Sequence, residues 1–234
     1  PPPMPVYAPP DSSVPVMQVL HQAQLALKHG DVTHSLVLAK AALARAQAAH
    51  DLPTEARALL ALSQADRMVS RFRRAQETAQ RAATLFQMCE DTRGEAEALA
   101  TLSHTLSVMG HSEEGVEAAL LGLKLNAEAP ALSQALSYNY LGVAYAHGGS
   151  FDRADAAYRT AISLLEDSGH WMEAYLPRVN QRVMEVSRCF FNRYYQGHFT
   201  GLERLADLRR ASARSAQAAP NLLVFQGAYL KTQA

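Results

Sequence analysis

Residues 138–161, YNYLGVAYAHGGSFDRADAAYRTA, decide the fold. Tyr138, Leu141, Gly142 and Tyr145 are spaced as one face of a helix requires. A break follows at Gly148-Gly149-Ser150, and helical spacing resumes with Phe151, Ala154, Tyr158 and Ala161. Glycine suits the break, because a helix that stops abruptly places its next residue in the left-handed conformation, which costs other residues energy. Gly142 and Ala154 are small where two helices cross, while Tyr145, Phe151 and Tyr158 fill the space beside them. The stretch therefore reads as a helical hairpin.

Working outward, the same punctuation recurs. Breaks fall at His29-Gly30-Asp31-Val32, Val69-Ser70-Arg71-Phe72, Met109-Gly110-His111-Ser112, and Tyr195-Gln196-Gly197-His198-Phe199. With Gly30, Ser70, Gly110, Gly149 and Gly197 as markers, the spacings are 40, 40, 39 and 48 residues. Four prolines, Pro53, Pro130, Pro177 and Pro220, fall near the alternate boundaries, as suits a residue tolerated only in the first turn of a helix. Glycines thus mark turns within a pair of helices and prolines mark joints between pairs. Between the breaks, Leu59, Leu62, Met68 and Val69, and again Leu99, Leu102, Leu106 and Met109, keep helical spacing. Ala75, Ala79, Ala82, Ala83, Ala118 and Ala119 favour helix and close helix approach. No segment alternates as a strand would.

Tyr138-x-x-Leu141-Gly142-x-x-Tyr145 followed by Gly149-x-Phe151-x-x-Ala154-x-x-x-Tyr158-x-x-Ala161 resembles the tetratricopeptide repeat (TPR) signature. Other units match more loosely: one through Leu59, Leu62, Ser63, Phe72, Ala75, Ala79 and Ala82, another through Leu99, Leu102, Ser103, Gly110, Gly115 and Gly122. The resemblance implies an all-α fold, a right-handed superhelical α-solenoid of TPR-like hairpins. The expected organisation is a Pro-rich linker over 1–15 and five hairpins over 16–219. These fall at about 16–50, 54–90, 94–127, 131–167 and 171–217, and the opening helix of a truncated further repeat occupies 220–234. The period near 40 exceeds the usual 34, so each helix is nearly a turn longer. The extra length of the fifth unit predicts a long first helix over Trp171–Gln196.

Composition narrows the function. Lys plus Arg number 22 and Asp plus Glu 22, so the net charge is zero, which argues against broad capture of nucleic acid. Cys89 and Cys189 stand apart from any CxxC pair, read as small apolar residues and fit a reducing compartment. No apolar run is long enough to span a bilayer. The N-terminus lacks the pattern of a signal peptide, and seven of the eleven prolines precede Val16. A cytoplasmic location is expected. No phosphate loop, dinucleotide fingerprint, HExxH or GxSxG is present, and no catalytic residue, cofactor or metal is expected. His104 and His111 lie seven apart, but Gly110 ends the helix between them. Glu113, Glu114 and Asp152 open helices, where acidic groups offset the positive helix end. Two basic clusters, Arg71, Arg73, Arg74 and Arg81, and Arg204, Arg209, Arg210 and Arg214, read either as solvated helix faces or as sites for an anionic partner.

In proteins resembling this one, the first helices of the hairpins line a concave wall that binds a peptide or protein segment. Carrying those positions over gives Arg57, Gln64 and Arg67, then Glu97, Thr101, His104 and Ser107, then Asn139, Val143 and His147, and finally Arg188, Phe191 and Tyr194. Phe191 and Tyr194 are either exposed anchors for a partner or core beneath the fifth unit's second helix. Arg57, Asn139 and Arg188 do not reproduce the ordered Lys/Asn/Arg clamp with which some TPR modules grip a C-terminal carboxylate. The repeat length, with turns such as Asp91-Thr92-Arg93-Gly94-Glu95-Ala96, resembles TPR arrays of bacterial signalling proteins. Those arrays precede an output domain such as a diguanylate cyclase or belong to transcriptional activators. The resemblance thus implies a non-enzymatic, regulatory interaction module. Two alternatives stand beside it: a small-ligand sensor built around Trp171 and the fifth unit, and self-association through the terminal repeat. A leucine at Gly142 is expected to overpack the helix crossing, at a cost of roughly 1–3 kcal/mol or more, and one at Gly169, in a joint, to cost less.

Overall fold

The structure, a computed structural model, describes Tyr7, residues 10–170, and beyond them Ala174, residues 176–178, Asn180, Gln181, Met184 and Glu185. The long helix expected over Trp171–Gln196, the second basic cluster and the truncated repeat lie largely or wholly outside the described residues. Among the described residues there is no strand, residues 176–178, 180, 181, 184 and 185 are helical, and eight α-helices precede them: α1 (Val16–Lys28), α2 (Val32–Ala48), α3 (Leu52–Met68), α4 (Phe72–Met88), α5 (Thr92–Val108), α6 (Ser112–Leu125), α7 (Ala131–His147) and α8 (Phe151–Asp167). The chain divides into two compact units, Pro1–Thr105 and Leu106–Ala234.

A single joint geometry recurs along the chain. Gly30, His50, Ser70, Glu90, Gly110, Gly149 and Gly169 all have positive φ. Each donates its backbone N–H to the carbonyl three residues back, and the next residue donates to the carbonyl five residues back: Asp31 to Ala26 at 2.9 Å, Asp51 to Ala46 at 3.0 Å, Arg71 to Asp66 at 2.9 Å, Asp91 to Phe86 at 3.0 Å. This paired bonding satisfies the last carbonyls of a helix and turns the chain sharply. The joints at His50, Glu90 and Gly169 are therefore the same device as the turns within hairpins, and the division of labour expected between glycine and proline holds only at the α6–α7 joint. Pro53 sits in the first turn of α3 and Pro130 is the N-cap of α7, where α6 is short and a longer connection intervenes.

The residue that closes one helix also opens the next. The carboxylates of Asp31, Asp51 and Asp91 accept from the backbone N–H of His34, Thr54 and Gly94 at 3.0, 3.1 and 2.9 Å. Each satisfies a donor that the helix itself leaves unpaired. The hydroxyl and then the backbone N–H of Thr54 hold the Asp51 carboxyl below its ordinary range, with a smaller contribution from the Arg57 charge. Asp91-Thr92-Arg93-Gly94-Glu95-Ala96 is accordingly the cap and first turn of α5, not a turn.

In the first unit α1 packs on α2, α2 on α3 and α3 on α4, and α1 also touches α3. Val19, Leu20 and Ala23 meet Leu36, Leu38, Ala39 and Ala42 of α2 and Ala58, Ala61, Leu62 and Ala65 of α3 in one core. Because α3 has neighbours on both sides, it is buried almost all round, while α4 buries only Ala75, Ala79, Ala82, Ala83 and Phe86. A fully buried leucine such as Leu62 contributes roughly 1.5–3 kcal/mol. Ser63 donates to the Ala75 carbonyl at 2.7 Å across the hairpin. The wholly buried Asp66 is flanked by Arg74 at 3.0 Å and Arg71 at 3.5 Å, and Arg81 pairs with Glu55. Most of the first basic cluster is thus engaged by the hairpin's own acids.

In the second unit α7 packs on α6 and α8. Tyr158, 2% exposed, lies across Gly142, and a Cβ there would come within 2.6 Å of its ring. Leu141 joins Ala119 and Ala157, flanked by Tyr145; Val143 joins Ala154, Tyr158 and Met184, with Phe151 beside them; Ala161 and Leu165 meet Ala135 and Ala174. Asn126 donates to Ser137 at 2.9 Å, tying the end of α6 to α7.

Part of the segment expected as a linker is docked on the first hairpin. The Tyr7 ring stacks on His34 at 4.4 Å and its hydroxyl donates to Asp31 at 2.5 Å, while Arg45 donates to the carbonyls of Ser12 and Val14 at 3.1 and 2.6 Å. The chain thereby follows α2 from its start to its end.

Four outcomes are predicted. Gly142→Ala and Gly94→Ala, which place a Cβ within 2.6 Å of Tyr158 and 2.8 Å of Phe86 Cγ, lower stability in urea unfolding by about 1–3 kcal/mol. Gly142→Leu costs more than Gly169→Leu, since Gly169 faces open space and incurs only the left-handed backbone penalty of roughly 1 kcal/mol. Ser70→Gly and Glu90→Gly relieve that penalty and raise stability by about 0.5–1 kcal/mol, read as a higher urea midpoint at unchanged slope. A depressed folded-state carboxyl stabilises fully above its unfolded value of about 4, and that contribution is lost as pH falls through the lower folded value. Asp51→Asn therefore destabilises the chain at pH 7 yet makes its thermal midpoint fall less as pH is lowered below about 4. An unchanged acid limb would contradict the assigned role of this cap.

Candidate functional site

The expected wall falls into residues that face solvent and residues that do not. Arg57 is exposed on α3, and Gln64 and Arg67 are half-buried on the same helix. Glu97 is exposed on α5 and pairs with Arg93 at 3.4 Å. Thr101, His104 and Ser107 are buried, at 3, 6 and 2% exposure, so they are corrected from wall to interior; Thr101 donates to the Glu97 carbonyl of its own helix at 3.1 Å. Asn139 and Val143 are corrected in the same way. Asn139 accepts from Asn180 at 2.9 Å, and Val143 lies in the core against Tyr158. For α7 the reason is that α6 and α8 pack along two of its sides and leave only a narrow strip outside. His147, the last residue of α7, is half-buried. Arg188, Phe191 and Tyr194 lie outside the described residues, as does Trp171.

What the structure brings together is the starting end of three first helices in the first unit. Arg57 of α3 reaches Met17 Sδ of α1 at 4.0 Å and, on its other side, Asp91, the cap of α5, at 3.6 Å. The same guanidinium helps to hold Asp51 ionised. α1 and α3 run in the same direction, and this contact brings their starting ends side by side. Met17, His21, Gln24 and Lys28, all exposed, share one face of α1, as Arg57, Ala61, Gln64 and Met68 share one face of α3. The sequence-based expectation omitted the α1 residues, although each stands 40 residues before its α3 counterpart, the spacing of the repeat itself. The resulting strip carries a thioether, an imidazole, amides and cations.

Elsewhere, an open cleft of about 610 Å³ in the second unit is lined by Arg159, Ile162, Ser163 and Glu166 of α8 and by Arg178, Gln181 and Glu185. Arg159 pairs with Asp155 at 2.8 Å, Gln181 donates to Asp155 at 2.6 Å and Arg178 pairs with Glu166, so its cations and amide are already engaged. Among the described residues no group of three His, Cys, Asp or Glu is arranged to hold a metal ion, and no helix is long and apolar enough to cross a membrane. Burial of the Tyr158 phenol pushes its ionisation far above the ordinary range, so this tyrosine acts as packing.

No protein-family model matches the chain. No curated protein matches it either. Solved structures do. A Rap protein complexed with competence and sporulation factor superposes with a TM-score of 0.67 at 14% identity, over 86% of this chain and 54% of that one. This chain therefore spans about half the length of the Rap protein. Two structures of a putative kinesin light chain from Podosopora anserina with nearly identical TPR-like repeats match with TM-scores of 0.56 at 14% identity. They cover 87% and 86% of this chain and 96% of theirs. Helical hairpins closed by one repeated turn, small residues beneath Phe86 and Tyr158, and these likenesses agree: the chain has the fold of the TPR-like helical repeats.

Proposed function

We propose that the chain is an interaction module that binds a segment of another polypeptide along the strip formed by α1 and α3. The observation that carries this reading is the joining of Met17, Arg57 and Asp91 across three first helices, with Gln24, Gln64 and Arg67 continuing along the same strip. Aligned helices present side chains at regular intervals, and an extended segment can meet each of them while its own backbone stays solvated. Repeat arrays suit this task because each hairpin contributes its contacts separately. The likeness to a Rap protein solved with a bound factor supports the same reading. Placement beside a signalling output domain, a diguanylate cyclase included, rests on repeat length alone, and the strip's role does not depend on it.

Peptides selected against the chain from a random display library test the reading. Met17→Trp and Gln64→Trp, which place bulk on the strip, weaken the selected peptides at least about tenfold, equivalent to roughly 1.4 kcal/mol. Gln80→Trp, on the exposed face of α4, leaves them unchanged. Selected peptides indifferent to both strip substitutions, or a library that yields no binder, contradict it.

A further inference from the structure

Charge is unevenly distributed along the α1/α3 strip. Where the helices start, the cations are neutralised: Arg57 by Asp91 and Arg93 by Glu97. Where they finish, Lys28 is exposed and Arg67 half-buried, and among the described residues neither side chain has an ion-pair or hydrogen-bond partner. Lys28 lies three turns beyond Met17 on the same face of α1, and Arg67 nearly three turns beyond Arg57 on α3, so both cations fall toward the finishing ends of these two packed helices. No acid of these two helices answers them. Val16–Lys28 contains no Asp or Glu, and of the acids in α3, Glu55 is held by Arg81 and Gln47 while Asp66 is held by Arg71 and Arg74. The carbonyl ends of α1 and α3 offset only part of this charge, since each helix end carries roughly half a negative charge against a full cation.

Resting on the assignment of this strip as the docking wall, we propose that the bound segment is acidic, with its carboxylates seated on Arg67 and Lys28. The two cations differ in what they offer. The Arg67 guanidinium presents a planar fork that matches a carboxylate in two hydrogen bonds, and its partial burial reduces solvent screening of the pair. Lys28, exposed at the rim, attracts an approaching acidic segment over a longer range and pairs more weakly. The segment then has a polarity on the wall, its acidic part at the finishing ends of α1 and α3 and its uncharged part toward Met17.

Three synthetic peptides of one otherwise identical sequence, carrying glutamates, glutamines or lysines at the same positions, are titrated into the 234-residue chain. The glutamate peptide binds at least about tenfold more tightly than the glutamine peptide, and raising salt from roughly 0.05 to 0.3 M narrows the gap. Arg67→Gln with Lys28→Gln removes the gap, Arg67→Lys restores part of it, and Arg73→Gln, an exposed cation of α4, leaves it intact. Unchanged helical circular dichroism in each variant separates lost binding from lost fold. Equal binding of the glutamate and glutamine peptides overturns the acidic assignment, as does a glutamate preference that survives the double substitution. If none of the three binds, the acidic assignment fails, and the docking wall then stands or falls with the display-selected peptides and their response to Gln64→Trp.

Discussion

The structure depends on a turn in which one residue both ends a helix and begins the next. Asp31, Asp51 and Asp91 each donate a backbone N–H to the last turn behind them and accept, through their carboxylates, from the first turn ahead. Such a joint leaves the chain little freedom in how it reverses. A helix must end in a left-handed residue, the next must start at once, and the two must lie against each other. The backbone part of the joint, a left-handed residue with paired bonds to the helix behind it, repeats every 20 residues from Gly30 to Gly110. Packing then selects small residues at the crossings. Gly94 lies under Phe86 and Gly142 under Tyr158, and each pair is one ring filling the space that one missing Cβ provides.

Much of this was legible in the sequence, and the reasons for the rest are physical. Gly30, Gly110 and Gly149 announce their conformation because glycine has no steric cost there. His50 and Glu90 adopt the same conformation without announcing it, and so the joints between hairpins looked different from the turns within them. Gly142 was recognisable from its spacing to Tyr158, whereas Gly94 resembled a turn residue because Asp91 and Thr92 precede it. The docked part of the N-terminal segment was hidden by its prolines; Tyr7 and the carbonyls of Ser12 and Val14 are fixed by distant side chains, His34, Asp31 and Arg45.

The functional wall was legible only in part. Positions carried over from a repeat pattern locate a helix face but do not say how much of it the neighbouring helices cover. Thr101, His104, Ser107, Asn139 and Val143 share that face by number and are nevertheless buried. Arg57 and Gln64 stay outside, and the 40-residue spacing that generated them also reaches Met17 and Gln24 on α1. Charge adds the finer distinction. Arginines abound at and beyond the start of α4, yet Arg71, Arg74 and Arg81 serve the hairpin's own acids, while among the described residues Arg67 and Lys28 have no such partner.

Amide chemical-shift mapping of the 234-residue chain with a selected peptide locates the contact surface without any substitution. If α1 and α3 form the wall, the largest changes cluster at Met17, Gln24, Gln64 and Arg67, and the exposed faces of α2 and α4 remain still. Changes concentrated on α2 and α4, with the α1 and α3 amides unmoved, would place the partner elsewhere and contradict the wall.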